Sequence, residues 1–146
     1  MKLSFFDFDD TLFKLPYTEN TDYMDNNGSL SPLKWTFEPK QNIINQYRVE
    51  SNKKGVKVIL LSNRTTNVID SLKEFLNSQD IKFDYYRLIE GGNGDRLKSK
   101  RMENLIKKYP NTTNIEYWED KDKHILDVKS MIQKYPNIDI KINKVT

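Results

Sequence analysis

Short runs of apolar residues alternate with amphipathic stretches along this chain. Residues 3–8, 56–61, 83–89 and 114–118 are rich in aliphatic and aromatic side chains and are bounded by polar or turn-forming residues. Such runs are typical of buried strands, and the alternating residues 138–142 indicate a further strand at a sheet edge. The pattern therefore predicts five strands.

Apolar residues recur at helical spacing between these strands. The spacing predicts helices around residues 41–52, 68–76, 102–106 and 125–132. Strands that alternate with helices form right-handed βαβ units, and these units build a mainly parallel sheet. We therefore expect an α/β fold, with a Rossmann-like three-layer αβα arrangement in a single domain over residues 1–146.

A long irregular segment separates the first strand from the first helix. Residues 14–40 are rich in Asn, Asp, Ser and Pro and show no hydrophobic period, so we expect a small flap rather than a cap domain. Loops of this length in a compact domain tend to serve function. Trp35 and Phe37 leave two alternatives open, stacking on a nucleotide base or holding the flap against the core.

The residue inventory limits the kinds of metal site. The 146-residue chain contains no cysteine and one histidine, His124, which excludes thiolate nucleophiles, cysteine-based zinc sites and sites with several histidines. Any metal must be held by oxygen atoms, the ligands that Mg²⁺ and similar hard cations prefer. We expect His124 to be a packed or surface residue of its helix rather than a catalytic one.

Charge and the N-terminal sequence set expectations about partners and location. The net charge of +3, without a block of five or six like charges, permits polyanionic ligands but does not require them. The first apolar stretch breaks at Asp7, too early for a signal peptide, and no run reaches the ~20 apolar residues of a membrane helix. Together with the lack of cysteine, this predicts a cytoplasmic protein without membrane contact.

Chemically capable residues follow three of the predicted strands. Ligands of open parallel α/β sheets bind beyond the carboxyl ends of the strands, so we expect these residues to converge on one site. Lys98 begins a predicted helix and is placed to reach the same edge, with Lys100 as the alternative in a less suitable register. The three groups are Asp7 with Asp9, Ser62 with Asn63 and Arg64, and Glu119 with Asp120.

Asp7 and Asp9 are the strongest candidates for catalysis. Two carboxylates one residue apart on a strand point to the same side. Their repulsion raises one pKa and thereby separates a nucleophile from an acid, and a divalent cation relieves the repulsion. An aspartate that attacks phosphorus forms an aspartyl-phosphate and divides one hydrolysis into two easier steps.

Four segments, taken in order, resemble the motifs of the haloacid dehalogenase (HAD) superfamily of phosphohydrolases. The resemblance covers most of the chain, to about residue 131, and implies a Mg²⁺-dependent phosphomonoesterase with an aspartyl-phosphate intermediate. The matching segments are Asp7-Phe8-Asp9-Asp10-Thr11, Leu60-Leu61-Ser62-Asn63-Arg64, Lys98, and Glu119-Asp120.

The resemblance implies a role for each motif residue. Asp7 would be the nucleophile and a metal ligand. Asp9 would be the general acid–base, and its backbone carbonyl would also bind the metal. Ser62 would hydrogen-bond the transferring phosphoryl group, and Lys98 would neutralise its charge.

The remaining implied ligands come from the fourth motif and from residues beside the first two. Asp120, with Glu119 as a further or alternative ligand, would complete the metal shell. Arg64 would contact substrate, although an exposed surface position is the alternative for this side chain. The other residues expected to contact substrate are Thr11, Trp35 and Asn63.

Finer features resemble the Swiss Army Knife RNA-repair-like branch of the superfamily, which is related to polynucleotide 3′-phosphatases. The features are residues 11–16, Trp35, Arg64, and Glu119-Asp120 followed by His124, while Asn63 stands where that branch often has Gly. The branch implies a nucleic-acid terminal phosphate or a nucleotide as substrate. A small-molecule phosphatase and a non-catalytic module that binds phosphate and metal stay as alternatives.

Overall fold

The computed structural model describes residues 1–14, 37–91 and 96–146. Its main sheet has five strands, all parallel to their neighbours, in the order β5-β4-β1-β6-β7. The α/β class and the parallel sheet are confirmed, and β7 forms the expected edge strand. The strands are β1 (Lys2–Phe6), β4 (Val56–Thr65), β5 (Tyr85–Ile89), β6 (Asn114–Glu119) and β7 (Asp139–Lys144).

Within the described residues, four α-helices connect these strands and cover both faces of the sheet. They are α1 (Gln41–Ser51), α2 (Ile69–Ser78, after a 3₁₀ turn at Thr66–Val68), α3 (Lys98–Lys108) and α4 (Asp122–Ile132). In the ranges that the structure describes, no helix has the length and apolar character needed to cross a membrane.

Alternation along the strands builds two separate cores, one on each face of the sheet. In β1, Phe6 belongs to the core that α1 and α2 cover, whereas Leu3 and Phe5 belong to the core beneath α3 and α4. In β4 the same alternation sends Leu60 to the first core and Leu61 to the second. The three-layer arrangement expected from the sequence is therefore confirmed.

Two strand boundaries near the chemical residues differ from the sequence prediction. β1 ends at Phe6 rather than at residue 8, because the Phe8 carbonyl accepts N–H groups from residues 11–13 and closes a tight loop. β4 continues to Thr65, where it pairs with Ile89 after an irregularity in register. Ser62, Asn63 and Arg64 therefore lie inside a strand, not beyond its end.

The base of the predicted flap is closed by a short antiparallel ribbon, which the sequence did not reveal. It joins β2 (Phe13–Lys14) to β3 (Glu38–Pro39). Phe37 is buried against Phe8 and Phe75, so of its two alternatives the structure favours anchoring to the core. Trp35 and the rest of the flap lie outside the described residues.

Glu50, a buried carboxylate of α1, connects this helix to the amino-terminal end of the sheet. Glu50 accepts hydrogen bonds from Ser4 at 2.7 Å and Lys53 at 2.6 Å and pairs with Lys2 at 2.6 Å. Burial alone would raise the pKa of Glu50, but the hydrogen bonds from Lys2, Lys53 and Ser4 outweigh it and lower the pKa below 4.5.

Glu50→Gln is expected to lower the free energy of unfolding by roughly 1–3 kcal/mol at neutral pH. Because the folded pKa is depressed, the ionised carboxylate stabilises the fold fully above pH 4.5, and this contribution is lost as pH falls through the folded pKa. Urea titrations of the wild type and Glu50→Gln from pH 7 downward measure the difference in the free energy of unfolding, which should become smaller in acid. A difference that stays constant with pH would contradict this assignment.

Candidate active site

The loop after β1 places two carboxylates at the carboxyl edge of the sheet. The Asp7 amide donates to the Trp118 carbonyl at 3.1 Å and so continues the β1–β6 ladder by one residue. The chain then turns through Asp10, whose φ of 60° lies in the left-handed region that Asp tolerates better than most residues. Asp7 and Asp9 consequently line the same pocket, although neither lies within the strand.

Asp7 is buried and contacts groups on three other segments. Its Oδ1 lies 2.8 Å from Lys98 Nζ, and its Oδ2 accepts a hydrogen bond from the Thr11 hydroxyl at 2.8 Å. The same hydroxyl lies 3.2 Å from Asp120 Oδ1. Burial raises the pKa of Asp7 well above its usual range; Lys98 opposes this effect, and the charge of Glu119 reinforces it.

Lys98, and not Lys100, is the lysine that contacts Asp7. Its side chain is fully buried and its Nζ also contacts Glu119 Oε1 at 2.6 Å, whereas Lys100 is exposed. Burial alone would lower the pKa of Lys98, but the carboxylates of Asp7 and Glu119 raise it, so the lysine is charged. Asp127 holds the beginning of α3 in place by accepting hydrogen bonds from the Ser99 amide and hydroxyl at 2.9 and 2.6 Å.

Glu119 is a fully buried carboxylate with both oxygens occupied. Burial would raise its pKa, but hydrogen bonds from His124 and Lys98 and the charge of Lys98 lower it. Besides Lys98, its Oε1 accepts from the Tyr117 hydroxyl and lies 3.1 Å from His124 Nδ1. Its Oε2 accepts the backbone amides of residues 120 and 121 at 3.0 and 3.2 Å. Glu119 is therefore held as an anion by protein donors.

An acidic cluster at this edge has the composition of a hard-cation site. Asp7, Glu119 and Asp120 each offer a carboxylate oxygen, and these oxygens lie within 4.8 Å of one another. Asp7 and Asp120 are both in contact with the Thr11 hydroxyl, and burial raises the pKa of Asp120, with a further contribution from the charge of Glu119. Carboxyl groups in such contact suit a divalent cation in place of a shared proton.

Arg64 is buried, so the surface position considered from the sequence is wrong. Its Nε and Nη2 contact the two oxygens of Asp9 at 2.9 and 2.5 Å in a bidentate pair. The guanidinium carbon lies 5.6 Å from the Phe8 ring centroid and 6.0 Å from that of Phe37. These contacts fix the orientation of Asp9.

A polar chain links the second motif to His124. Arg101 donates to the side-chain oxygen of Asn63 and, at 2.5 Å, to the Ser62 carbonyl. This contact leaves the Asn63 amide nitrogen facing His124 Nε2 at 3.3 Å. Since that nitrogen can only donate, His124 Nε2 accepts, and Nδ1 carries the proton donated to Glu119. His124 therefore contacts the site directly, although the sequence favoured a packed or surface role.

A pocket of about 180 Å³ opens over this constellation. Ser62 and Thr11 are fully buried outside its lining: the Ser62 hydroxyl accepts the Arg64 amide at 3.1 Å, and Thr11 lies behind the carboxylates. The lining consists of Asp7, Asp9, Asn63, Arg64, Lys121 and His124.

Sequence reasoning missed Arg101 and Lys121 at this site. Arg101 lies on the buried side of α3, one helical turn after Lys98. The position of both residues on the same helix face could have indicated that Arg101 reaches the site. Lys121 directly follows the fourth motif and lines the pocket, but a lysine before a helix is ordinarily a solvated residue.

The parallel three-layer fold, with an aspartate loop after its central strand and a buried lysine facing it, defines a HAD-type domain. The chain belongs to the family described as HAD domain family 1 in Swiss Army Knife RNA repair proteins, whose profile matches residues 8–146. No curated protein sequence matches the chain significantly.

Solved structures share the fold at low sequence identity. Chains in two structures of the Pnkp1/Rnl/Hen1 RNA repair complex superpose with TM-scores of 0.64 and 0.68 at 18% and 17% identity, covering 98% and 99% of this chain. This chain spans only 42% and 45% of those chains. The HAD domain of effector protein Lem4 from Legionella pneumophila matches with a TM-score of 0.64 at 15% identity, covering 98% of this chain and 85% of that domain.

Proposed function

We propose that this chain is a Mg²⁺-dependent phosphomonoesterase that removes a terminal phosphate from a nucleic acid by way of an aspartyl-phosphate on Asp7. The observation that carries the proposal is the charged Lys98 buried between Asp7 and Glu119 beside an acidic cluster. Buried charges of this kind are costly to maintain and concentrate at functional sites.

In the first step, a carboxylate oxygen of Asp7 forms a bond to phosphorus while the bond from phosphorus to the leaving oxygen breaks. Asp9, which lines the same pocket, would enter this step protonated, with one of its oxygens released from Arg64, and gives that proton to the leaving oxygen. In the second step Asp9 takes a proton from water, the water oxygen bonds to phosphorus, and the bond to Asp7 breaks. Inorganic phosphate leaves, and both aspartates return to their initial states.

The other site residues position these two groups. Lys98 fixes one oxygen of Asp7 and Thr11 fixes the other, which leaves the carboxylate little rotational freedom. The Arg64 guanidinium holds the plane of the Asp9 carboxylate. Positioning and charge stabilisation account for most of the catalysis of phosphoryl transfer, so the burial of these contacts supports the proposal.

Asp7 and Asp120, together with the Asp9 backbone carbonyl, would hold the Mg²⁺. When bound, the cation neutralises the charge of the transferring phosphoryl group. Glu119 is the less suitable ligand because donors from Lys98, His124 and the backbone already occupy both of its oxygens. Its proposed role is to hold Lys98.

Asp120→Asn is expected to raise the Mg²⁺ concentration for half-maximal activity by at least ~10-fold, since it removes one anionic ligand. The exposed Asp122, which pairs with Lys144 at 2.8 Å, provides the matched control: Asp122→Asn should leave the Mg²⁺ dependence unchanged. Rates measured across a Mg²⁺ titration decide the point. An unchanged Mg²⁺ dependence in Asp120→Asn would exclude this carboxylate as a ligand.

The nucleic-acid part of the proposal is supported by the family, whose description refers to RNA repair proteins, and by structural neighbours in RNA repair complexes. Phosphate release from 3′- and 5′-phosphorylated oligonucleotides, mononucleotides and sugar phosphates tests it. We expect the highest kcat/KM for a phosphorylated oligonucleotide. A higher kcat/KM for sugar phosphates would instead identify a small-molecule phosphatase.

A further inference from the structure

A second and larger depression lies beside the edge strand β5, outside the catalytic pocket. This groove has a volume of about 480 Å³ and runs between α2 and the strand. It is lined on the α2 side by Thr66, Ile69, Lys73 and Asn77, and on the strand side by the consecutive residues 82–87.

Positive charge predominates in the groove. Lys73, Lys82 and Arg87 contribute three cations, and Asp84 is the one acidic side chain among the lining residues. The Asp84 carboxylate accepts the Val58 amide at 2.8 Å, so the backbone of β4 occupies part of its hydrogen-bonding capacity. The groove therefore favours an anionic occupant.

Aromatic rings accompany these cations on both faces of the edge strand, with Tyr86 packed against the core that α2 covers and Tyr85 against the core beneath α3. Lys73 Nζ lies 4.9 Å from the Tyr86 ring centroid, and the Arg87 guanidinium lies 5.1 Å from that of Tyr85. Lys108 Nζ, at the end of α3, lies 4.7 Å from the same Tyr85 ring centroid. Cations next to aromatic faces match the two components of single-stranded nucleic acid, since phosphates pair with the cations and bases stack on the rings.

The groove is connected to the catalytic edge of the sheet. Arg87 pairs in register with Leu61, next to Ser62, and Arg101 donates to the carbonyls of both Ser62 and Arg87, at 2.5 and 3.0 Å. The β5 residues that line the groove, Tyr85 to Arg87, extend about 7 Å at 3.3 Å per residue. That length corresponds to about two stacked nucleotides at 3.4 Å each.

We propose that this groove binds the strand of a single-stranded nucleic acid whose terminal phosphate lies in the catalytic pocket. The inference rests on the proposed function and specifies how the substrate is held beyond its terminal nucleotide. A peptide added as a further strand to the edge of β5 is the other possible occupant. A peptide backbone, however, carries no phosphates to pair with the three cations and no bases to stack on the aromatic rings.

The test compares substrates of different length in a Lys73→Ala/Arg87→Ala variant. For a phosphorylated single-stranded decamer, kcat/KM should fall ~10-fold or more, while the value for a phosphorylated mononucleotide should not change. Each contact between a cation and a single-strand phosphate contributes about 0.7 to the slope of log affinity against log salt concentration. Because the variant removes two cations, the magnitude of this slope for the decamer should decrease by about 1.4. Lys129→Ala, which removes an exposed lysine of α4, is the control and should leave kcat/KM unchanged for both substrates.

Binding without turnover separates this inference from the proposed activity. Asp7→Asn protein should bind a fluorescent single-stranded decamer, and adding Lys73→Ala/Arg87→Ala should weaken that binding by a similar factor. If Lys73→Ala/Arg87→Ala lowers kcat/KM equally for the mononucleotide and the decamer, or for neither, the groove proposal is overturned even if the chain is a phosphatase. Binding of an unphosphorylated β-strand peptide in place of the decamer would also overturn it. Turnover of no phosphomonoester, with decamer binding intact, would instead overturn only the proposed activity.

Discussion

Asp7→Asn is expected to reduce phosphate release by at least ~10³-fold while the fold persists, since an amide oxygen is a far weaker nucleophile than a carboxylate. Thermodynamic stability should be retained or increased. Burial raises the pKa of Asp7, so ionising this carboxylate costs more in the folded protein than in the unfolded chain. The amide removes that cost, its oxygen can still accept from Lys98, and its nitrogen can donate to the Thr11 hydroxyl oxygen.

A neighbouring residue provides the matched control. Asp10→Asn makes the same chemical change three positions along the loop, at a left-handed φ of 60° that Asn adopts readily. This side chain does not line the pocket, so activity should change little. Steady-state rates together with urea unfolding of both variants give the comparison. Full activity in Asp7→Asn would refute its assignment as nucleophile.

Lys98→Met is expected to abolish detectable turnover and to lower the free energy of unfolding by about 3–5 kcal/mol. The ammonium lies 2.8 Å from Asp7 and 2.6 Å from Glu119, and its side chain is fully buried. Removing it leaves two carboxylates facing each other without a counterion. Denaturant unfolding and single-turnover rates measure the two effects separately.

A compensating variant separates the structural from the catalytic role of this lysine. Lys98→Met/Glu119→Gln removes one positive and one negative charge together, so much of the lost stability should return. Activity should stay absent, because Asp7 loses the contact that fixes its Oδ1 and the phosphoryl group loses the positive charge of the lysine. Recovery of turnover along with stability would show that Lys98 only maintains the fold.

The sequence predicted the layers of this fold because each strand carries its own buried pattern. The alternation of Phe5 and Phe6 in β1, and of Leu60 and Leu61 in β4, reflects helices packed on both faces, and it is visible without any tertiary information. Strand ends were less predictable. The tight loop at the Phe8 carbonyl and the extension of β4 to Thr65 depend on hydrogen bonds to distant segments.

The sequence predicted that Asp7, Lys98 and Asp120 would meet at one edge of the sheet, but not the partner of each side chain. The sequence placed Glu119 and Asp120 together without distinguishing them. They differ because Glu119 points to Lys98 and His124, whereas Asp120 faces Asp7 and Thr11. The contact between Thr11 and Asp120 joins residues 109 positions apart, and no local pattern encodes such a pairing.

The stereochemical course of hydrolysis at phosphorus tests the central claim most directly. A phosphorothioate monoester made chiral with two oxygen isotopes, on the best oligonucleotide substrate, would be hydrolysed in water that carries the third isotope, and the configuration of the released thiophosphate would be determined. Attack by Asp7 followed by attack of water consists of two in-line displacements, which together retain configuration. Retention is the predicted result. Inversion would mean that water attacks the substrate directly, and it would contradict an aspartyl-phosphate on Asp7.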